Sequence, residues 1–212
     1  LQGLTSDHTG FFILPVDIPL VRPRTIAAMI EKWGFLENKT SILYPVFLDK
    51  RGHPPLISTK LIPEILNWKG RGGLKTFLES RENEARDLSV IDEYILKDMD
   101  TQPDYEQVTA ARNRYDVPTA DECTALMNDS ALFSEKTASH CRAVAEIAIY
   151  LGAQITSGNS AIHLSRISAA AMLHDVAKGR PDHAHEGASL LSELGFSGIA
   201  DIVASHMDID FP

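Results

Sequence analysis

The chain has 212 residues, of which 44% are hydrophobic and 23% charged, as is typical of a soluble globular protein. No apolar run reaches the roughly 18 residues that a membrane span requires, and the first residues lack the features of a signal peptide. The formal net charge of −9 is uneven, because residues 116–212 carry 5 basic and 13 acidic side chains. This acidic half argues against a nucleic-acid partner, and we expect a cytoplasmic protein with no membrane partner.

The first half alternates between strand and helix patterns. Short apolar runs typical of strands occupy residues 11–16, 41–48 and 87–92, and helical spacing occupies residues 24–34, 60–68 and 73–80. Pro45 falls within the second run, which predicts an edge strand or a bulge because proline has no N–H to donate. The alternation predicts layered α/β structure with a mostly parallel sheet.

The second half has almost no strand pattern. Helices are predicted at residues 119–129, 134–152, 160–178, 185–195 and 197–207, with Gly152, Gly179 and Gly195 as helix stops. A polar stretch separates the halves, and we place the domain boundary between residues 115 and 116. Cys123 and Cys141 have no metal-binding or redox spacing, so we interpret them as reduced thiols.

Histidines on three predicted helices share the spacing of apolar residues. His140 aligns with Val144, Ile147 and Leu151, His174 with Ile167, Ala170 and Ala171, and His206 with Ile199, Ile202 and Val203. This spacing predicts that each imidazole faces inward. One inward histidine is usually a core residue with a hydrogen bond. Three of them on three helices, with Asp175 adjacent to His174, are costly to bury without partners, and a bound divalent metal would compensate that cost.

The ordered set of His140, then His174 and Asp175, then His206 resembles the HD-domain metal-dependent phosphohydrolases. The surrounding segments HCRAVAEIA, AAMLHDVAK, DHAHEGASLL and IVASHMD fit as well, so the resemblance covers about residues 130–210. It implies an all-α bundle with a central metal, in which His140, His174 and Asp175 are the first three ligands. The metals expected there are one or two divalent ions of Fe, Mn, Zn or Ni.

Members of that family with two metals add two histidines. One lies four residues before a Gly-Ala pair, which matches His183 with His185 as its neighbour, and the other matches His206. Asp175 could bridge both ions because a carboxylate has two ligand oxygens. The resemblance places Lys178 near substrate phosphate, and a solvated helix end is its alternative role. It also implies a last aspartate ligand on a later helix, which we expect beyond residue 212.

Three segments of the first half carry residues typical of a ligand site, namely LPVDIPLVRPRTI (14–26), RGHPPLIS (51–58) and KDMDTQPDY (97–105). Asp17 ends a predicted strand and Asp100 begins a turn after another. Two carboxylates at strand ends could share one Mg²⁺. The alternative is that both are turn residues beside prolines.

Together these segments resemble the molybdenum-cofactor cytidylyltransferase and guanylyltransferase family over about residues 10–110. The resemblance implies an incomplete Rossmann-like nucleotidyltransferase sheet, with Asp17 and Asp100 as Mg²⁺ ligands and Gly52, His53 and Pro54 lining the acceptor site. The Gly-rich loop that cradles the triphosphate in that family has no counterpart here, so we expect no nucleotidyl transfer from this chain alone. We expect a piece of a bifunctional protein.

Three hypotheses about function remain open at this point. In the first hypothesis, the helical half is a phosphohydrolase that acts on a nucleotide or another phosphoester. It is coupled to a nucleotidyltransferase half, for which molybdopterin is a further partner. Alternatively, its helical half is a regulatory module that senses a nucleotide or metal without turnover. In the third hypothesis the histidines are core residues, which would tolerate chelators.

Overall fold

The computed structural model describes residues 8–36, 39–156 and 163–207. The chain forms two compact units, Leu1–Tyr105 and Glu106–Pro212, and the domain boundary at 115/116 stays a prediction. Within the described ranges, no helix is both long and apolar enough to cross a bilayer. The predicted order of an α/β part followed by an all-α part is confirmed.

A mixed sheet forms the centre of the first unit. Its strands are β1 (Gly10–Phe12), β2 (Ile42–Phe47), β3 (Lys50–Arg51), β4 (Leu56–Ser58) and β5 (Ala85–Ser89). Their order is β1-β4-β2-β3, and β5 also pairs with β2. The β2–β5 pair is parallel, whereas the β1–β4, β2–β4 and β2–β3 pairs are antiparallel. The prediction of a mostly parallel sheet is therefore wrong.

A tight turn produces one of these antiparallel pairs. Leu48 and Asp49 both have positive φ, 46° and 64°, and the flanking Phe47 and Lys50 are paired. Two successive residues in the left-handed region form a two-residue hairpin turn of the primed type, which normally contains Asn-Gly or a similar pair. Leu-Asp gives no such signal, so the hairpin was missed.

Pro45 lies in a central strand. On one side, β2 pairs with β5, and on the other, residues 42–43 pair with β4 while residues 46–47 pair with β3. Pro45 falls between these two antiparallel partners, and its carbonyl accepts a hydrogen bond from the N–H of Gly52 at 2.9 Å. The proline therefore lies where the antiparallel partner changes, and of the two predicted alternatives, an edge strand or a bulge, the edge strand is wrong.

Helices cover both faces of the sheet. They are α1 (Pro23–Gly34), α2 (Ile62–Asn67) and α3 (Gly73–Glu79), all three at predicted positions. Met29 of α1 packs with Leu43 and Leu56 in one core cluster, and Ile42 and Ile57 belong to a second cluster with α2 and α3. Neighbouring strand residues thus point to opposite faces, as the pleat requires.

Asp92 is a buried carboxylate that joins two parts of the first unit. It is 0% exposed and accepts hydrogen bonds from the Arg22 N–H at 2.8 Å, the Thr25 Oγ1 hydroxyl at 2.7 Å and the Tyr94 N–H at 3.0 Å. Arg22 and Thr25 lie at the start of α1, so this carboxylate fixes that helix to the chain after β5.

We expect Asp92→Ala to lower the free energy of unfolding by about 3 kcal/mol or more, because buried donors would lose their charged acceptor. Urea unfolding followed by circular dichroism measures the change. Asp87→Ala is the control, since Asp87 is half-exposed and pairs with Arg51 at the surface, where a pair contributes about 1 kcal/mol at most. Equal losses in the two variants would contradict the prediction.

The described part of the second unit is helical. Its helices are α4 (Gln102–Arg112), which contains the unit boundary, α5 (Ala120–Met127), α6 (Glu135–Thr156), α7 (Leu164–Leu173), α8 (His183–Glu193) and α9 (Ser197–Ala204). Helix α4 was not predicted; it begins where the Asp104 carboxylate accepts hydrogen bonds from the Thr101 N–H and hydroxyl at 2.8 and 2.6 Å, a helix-capping arrangement. The core includes Leu126, Leu173 and Leu191.

Helices α6 and α7 end at other residues than the sequence predicted. Helix α6 continues past Gly152 to Thr156; a Cβ at Gly152 would lie 2.9 Å from the side chain of Leu164, so this glycine permits close helix packing. Helix α7 ends at Leu173, and turns follow up to Gly179. Gly179 and Gly195 have φ of 97° and 93°, the left-handed conformation that glycine adopts readily.

The inward face of α6 is not the one that the sequence predicted. Its buried positions are Ala138, Cys141 and Ala145, whereas Ile147 and Leu151 are 61% and 53% exposed. His140, on the same helix, is itself exposed. The prediction that His140 shares an inward stripe with Val144, Ile147 and Leu151 is therefore wrong. On α9, likewise, Ile202 is exposed although Ile199 and Val203 are buried.

Candidate metal centre

The turn after α7 places two potential ligands side by side. His174 follows the last residue of α7, and Asp175 is 2% exposed. Lys178, one turn further on, donates a hydrogen bond to Asp175 Oδ1 at 3.1 Å, and its Nζ lies 3.0 Å from Oδ2. Because a buried carboxylate requires compensating charge, Lys178 supplies part of what Asp175 needs.

Four histidines surround this carboxylate. Among the described residues, two groups have ligand atoms within 4.8 Å of one another: His140, His174 and Asp175, and Asp175, His183 and His206. His183 is the first residue of α8 and His206 follows the end of α9. The fold thus brings together all five metal ligands that the sequence analysis predicted for the HD site. They lie on α6, after the end of α7, at the start of α8 and after the end of α9.

The two oxygens of Asp175 face different groups. Oδ2 lies 3.6 Å from His174 Nε2, whereas Oδ1 lies 3.3 Å from His183 Nε2 and 3.7 Å from His206 Nε2. The imidazole rings are adjacent and nearly perpendicular, with centroids 5.4 Å apart for His140–His174 and 5.2 Å apart for both His174–His206 and His183–His206. One carboxylate oxygen is therefore directed to each side of the cluster.

Backbone carbonyls orient two of the imidazoles. Nδ1 of His174 lies 2.9 Å from the Ala171 carbonyl, and Nδ1 of His206 lies 2.6 Å from the Val203 carbonyl. A carbonyl only accepts, so each Nδ1 carries the hydrogen and, in the neutral ring, each Nε2 keeps a free lone pair directed at Asp175. This arrangement is typical of metal-binding histidines.

Two buried histidine nitrogens of the cluster lack a hydrogen-bond partner among the described residues, which indicates whether a metal would fit there. In the described part of the chain, Nε2 of His183 and Nε2 of His206 are buried without a hydrogen-bond partner. The lone pair of His206 Nε2 faces Asp175 Oδ1 at 3.7 Å, and His183 Nε2 lies 3.3 Å from the same oxygen. Buried nitrogens without a partner beside a carboxylate are unfavourable unless a cation lies between them. Imidazole nitrogens and a carboxylate form a donor set for Zn, Mn, Fe or Ni, so the residues fit a divalent metal.

Electrostatics favour the protonation states that metals require. Burial lowers the pKa of His174, against opposing effects of the Ala171 carbonyl and Asp175. Burial acts to raise the pKa of Asp175, but Lys178 and His174 outweigh it and hold that pKa below its ordinary value. Neutral imidazole and ionised carboxylate are the ligand forms, so both pKa shifts favour the form of His174 and of Asp175 that binds a metal.

The structure separates His183 from its neighbour His185. His183 is directed at Asp175, whereas His185 is exposed and its Nδ1 lies 3.0 Å from Oδ1 of Asp182. Residues two apart near a helix start point in different directions, which explains why only one of them reaches the cluster.

The predicted residues of the transferase half are more dispersed. Asp17 lies in a turn five residues beyond β1, which ends at Phe12 and not at residue 16 as predicted. Its Oδ1 is buried, and no hydrogen-bond partner for it exists among the described residues. Asp100 is exposed in the segment before α4, and neither aspartate belongs to the three-ligand groups found in the described part of the chain.

Two carboxylates, Asp17 and Asp98, act on the pKa of His53, and the sequence analysis did not single out Asp98. Its N–H donates to the Ile95 carbonyl at 2.9 Å, and Gly52 lies so close that a Cβ there would be 2.5 Å from that same carbonyl oxygen. Burial lowers the pKa of His53, while Asp17 and Asp98 act to raise it. The sequence resemblance assigned the metal-ligand role to Asp100 and passed over Asp98, two residues earlier in KDMD.

Comparison with known families finds one family model in each unit of the chain. Residues 1–86 match the model of the MobA-like NTP transferase domain, and residues 137–210 match the model of the HD domain. The chain joins a MobA-like NTP transferase domain to an HD domain. A search of curated proteins finds no match. Both families are generally enzymatic, and HD domains bind divalent metals.

The HD match contains every residue of the histidine cluster, whereas the MobA-like match contains Asp17 and residues 52–54 and ends before Asp98 and Asp100. Within the HD domain, the sequence analysis interpreted Cys141 as a reduced thiol and did not place it beside the metal ligands. This thiol is fully buried on α6, and burial raises its pKa to about 11 although the backbone of Asp175 hydrogen-bonds to it. Cys141 thus packs against the segment that carries the two central ligands.

Proposed function

We propose that the HD domain is a metal-dependent phosphohydrolase that acts on a nucleotide or another phosphoester. The observation that carries this proposal is Asp175, which directs one oxygen to each of two histidine groups. Ions held by His140, His174, Asp175, His183 and His206 would lower the pKa of a bound water and neutralise phosphate charge.

The chain's own residues would prepare this site in two ways. The carbonyls of Ala171 and Val203 fix the tautomers of His174 and His206, so both rings present a lone pair without reorganisation. Lys178 has a side chain that is 50% exposed and contacts Asp175. Its ammonium is therefore able to reach a phosphate oxygen at the mouth of the site while it stays near the carboxylate.

We further propose that this hydrolase is coupled to a molybdopterin-type nucleotidyltransferase. In that domain Asp17 and Asp100 would hold Mg²⁺, and Gly52, His53 and Pro54 would line the acceptor site. The buried and unpartnered Oδ1 of Asp17 supports a cation there, since an isolated buried carboxylate oxygen is otherwise unfavourable.

The test is metal content followed by turnover. Elemental analysis of the purified full chain is expected to find about one or two Fe, Mn, Zn or Ni ions per chain. Phosphate release is then measured with nucleoside monophosphates, nucleoside triphosphates, dinucleotides and p-nitrophenyl phosphate, each with and without chelator. Chelator-sensitive release supports the proposal. Bound metal without release from any substrate would favour a sensing module, and absence of metal would favour core histidines.

A further inference from the structure

A second candidate site lies in the helical unit outside the histidine cluster. A cavity of about 540 Å³ is lined by Asn113, Arg114, Asp116, His163, Arg166 and Gly198, among others, and by none of the five clustered residues. Its volume falls in the range of small-molecule sites. All of these residues except Gly198 are exposed, so a ligand has access to the cavity from solvent.

Two basic side chains line this cavity, although the second half of the chain has few basic residues. Residues 116–212 contain only 5 Lys and Arg, yet Arg166 and the nearby Arg114 line the same cavity. Among the ion pairs and side-chain hydrogen bonds of the described residues, none involves either guanidinium. Two arginines without a carboxylate partner in one concave site are suited to a phosphate, which guanidinium groups bind in bidentate fashion.

Asp116, the acidic residue that lines the cavity, contacts the start of α9. Asp116 accepts a hydrogen bond from the Gly198 N–H through its backbone carbonyl at 2.9 Å. Its carboxylate lies against the same glycine, since a Cβ there would be 2.8 Å from Oδ2. Gly198 is in the first turn of α9, where a negative charge is stabilised by the helix dipole. Asp116 is thus engaged at the helix start, and the two arginines keep their charge for a ligand.

Two helices run from this cavity to the histidine cluster. His163 and Arg166 lie at the start of α7, and Gly198 lies at the start of α9. The far ends of these helices carry His174 with Asp175, and His206. With ten residues in α7, the two locations are about 15 Å apart. Both helix starts add positive potential to that of the arginines.

We infer that the cavity binds a small phosphate-bearing molecule, with Arg114 and Arg166 contacting the phosphate. His163 and Asn113 are further polar groups that line the cavity. This site is separate from the metal centre, and the inference does not depend on the proposed hydrolase activity.

Calorimetric titration of the full chain in the presence of a chelator tests this inference. The probes are pyrophosphate, AMP and adenosine; the two phosphate-bearing probes are expected to bind and adenosine is not. Arg114→Gln and Arg166→Gln are each expected to weaken binding at least about tenfold, because a charge-assisted contact is lost. Arg112→Gln is the matched control, an exposed arginine on α4 outside the cavity, and is expected to change affinity less than about twofold.

Four outcomes would overturn the inference. Affinity for pyrophosphate and AMP within twofold of the wild type in both arginine variants would remove the assigned contacts. Loss of binding in His174→Ala but not in the arginine variants would place the phosphate at the histidine cluster. Equal binding of adenosine and AMP, or no binding of any probe, would show that the phosphate is not what the cavity recognises.

Discussion

Asp175→Asn is expected to lower the affinity of the HD domain for divalent metal by roughly a hundred- to a thousandfold. Asparagine keeps the shape of the side chain but has no charge, while Asp175 is 2% exposed and faces both histidine groups. Removing one partner from a buried charged set costs about 3–5 kcal/mol, and each 1.4 kcal/mol is about tenfold in affinity. Elemental analysis after dialysis, and a competitive titration against a chromophoric chelator, measure the loss.

Asp182→Asn is the matched control for this variant. Asp182 precedes α8 and is exposed, and its carboxylate forms an ion pair with His185, which lies outside the cluster. It carries the same change of charge close to the same site, so long-range electrostatics act on both variants in a similar way. Equal metal loss in the two variants would contradict a specific role for Asp175. Far-ultraviolet circular dichroism is expected to show equal helix content in all three proteins.

Local patterns predicted the elements of the first unit better than their pairing. The helices at Pro23–Gly34 and Gly73–Glu79 appear where apolar spacing indicated them. Sheet direction depends on turns and on contacts between distant residues, and the turn at Leu48–Asp49 lacks the usual hairpin residues. Pro45 likewise suggested an edge because the sequence does not show that β2 changes partner at this residue.

The orientation of α6 shows why spacing alone did not identify its buried face. Small residues at Ala138, Cys141 and Ala145 form the buried stripe, and larger apolar residues including Ile147 and Leu151 form a second stripe that is exposed. Both stripes have helical spacing, so periodicity favoured the more hydrophobic one. The small residues are buried because they allow α7 to pack closely against α6.

The candidate ligands were accessible from the sequence because their order and spacing carry information that single residues do not. His140, His174 with Asp175, His183 and His206 converge in the structure, although His140 does not face the core. What the sequence did not contain is the direction of each carboxylate oxygen or the carbonyls that set the tautomers. Those depend on where α7 and α9 end, and the predicted end of α7 at Lys178 was five residues beyond the observed Leu173.

His183→Ala is expected to remove about one metal ion per chain and to leave the group of His140, His174 and Asp175 able to bind another. The reason is that His183 belongs only to the group on the Oδ1 side of Asp175. His140→Ala is expected to have the complementary effect, because His140 belongs only to the other group. Metal stoichiometry by elemental analysis, at saturating metal followed by desalting, measures both.

His185→Ala separates this prediction from a general effect of removing a histidine. His185 lies two residues from His183 on the same helix, is exposed, and pairs with Asp182, so its removal is expected to leave metal content unchanged. Loss of all metal in His183→Ala and in His140→Ala alike would show a single ion shared by the whole cluster. Equal loss in His183→Ala and His185→Ala would contradict the assignment of α8. Because Asp175 is common to both groups, the single-histidine variants are expected to retain partial binding, whereas the asparagine variant at Asp175 is not.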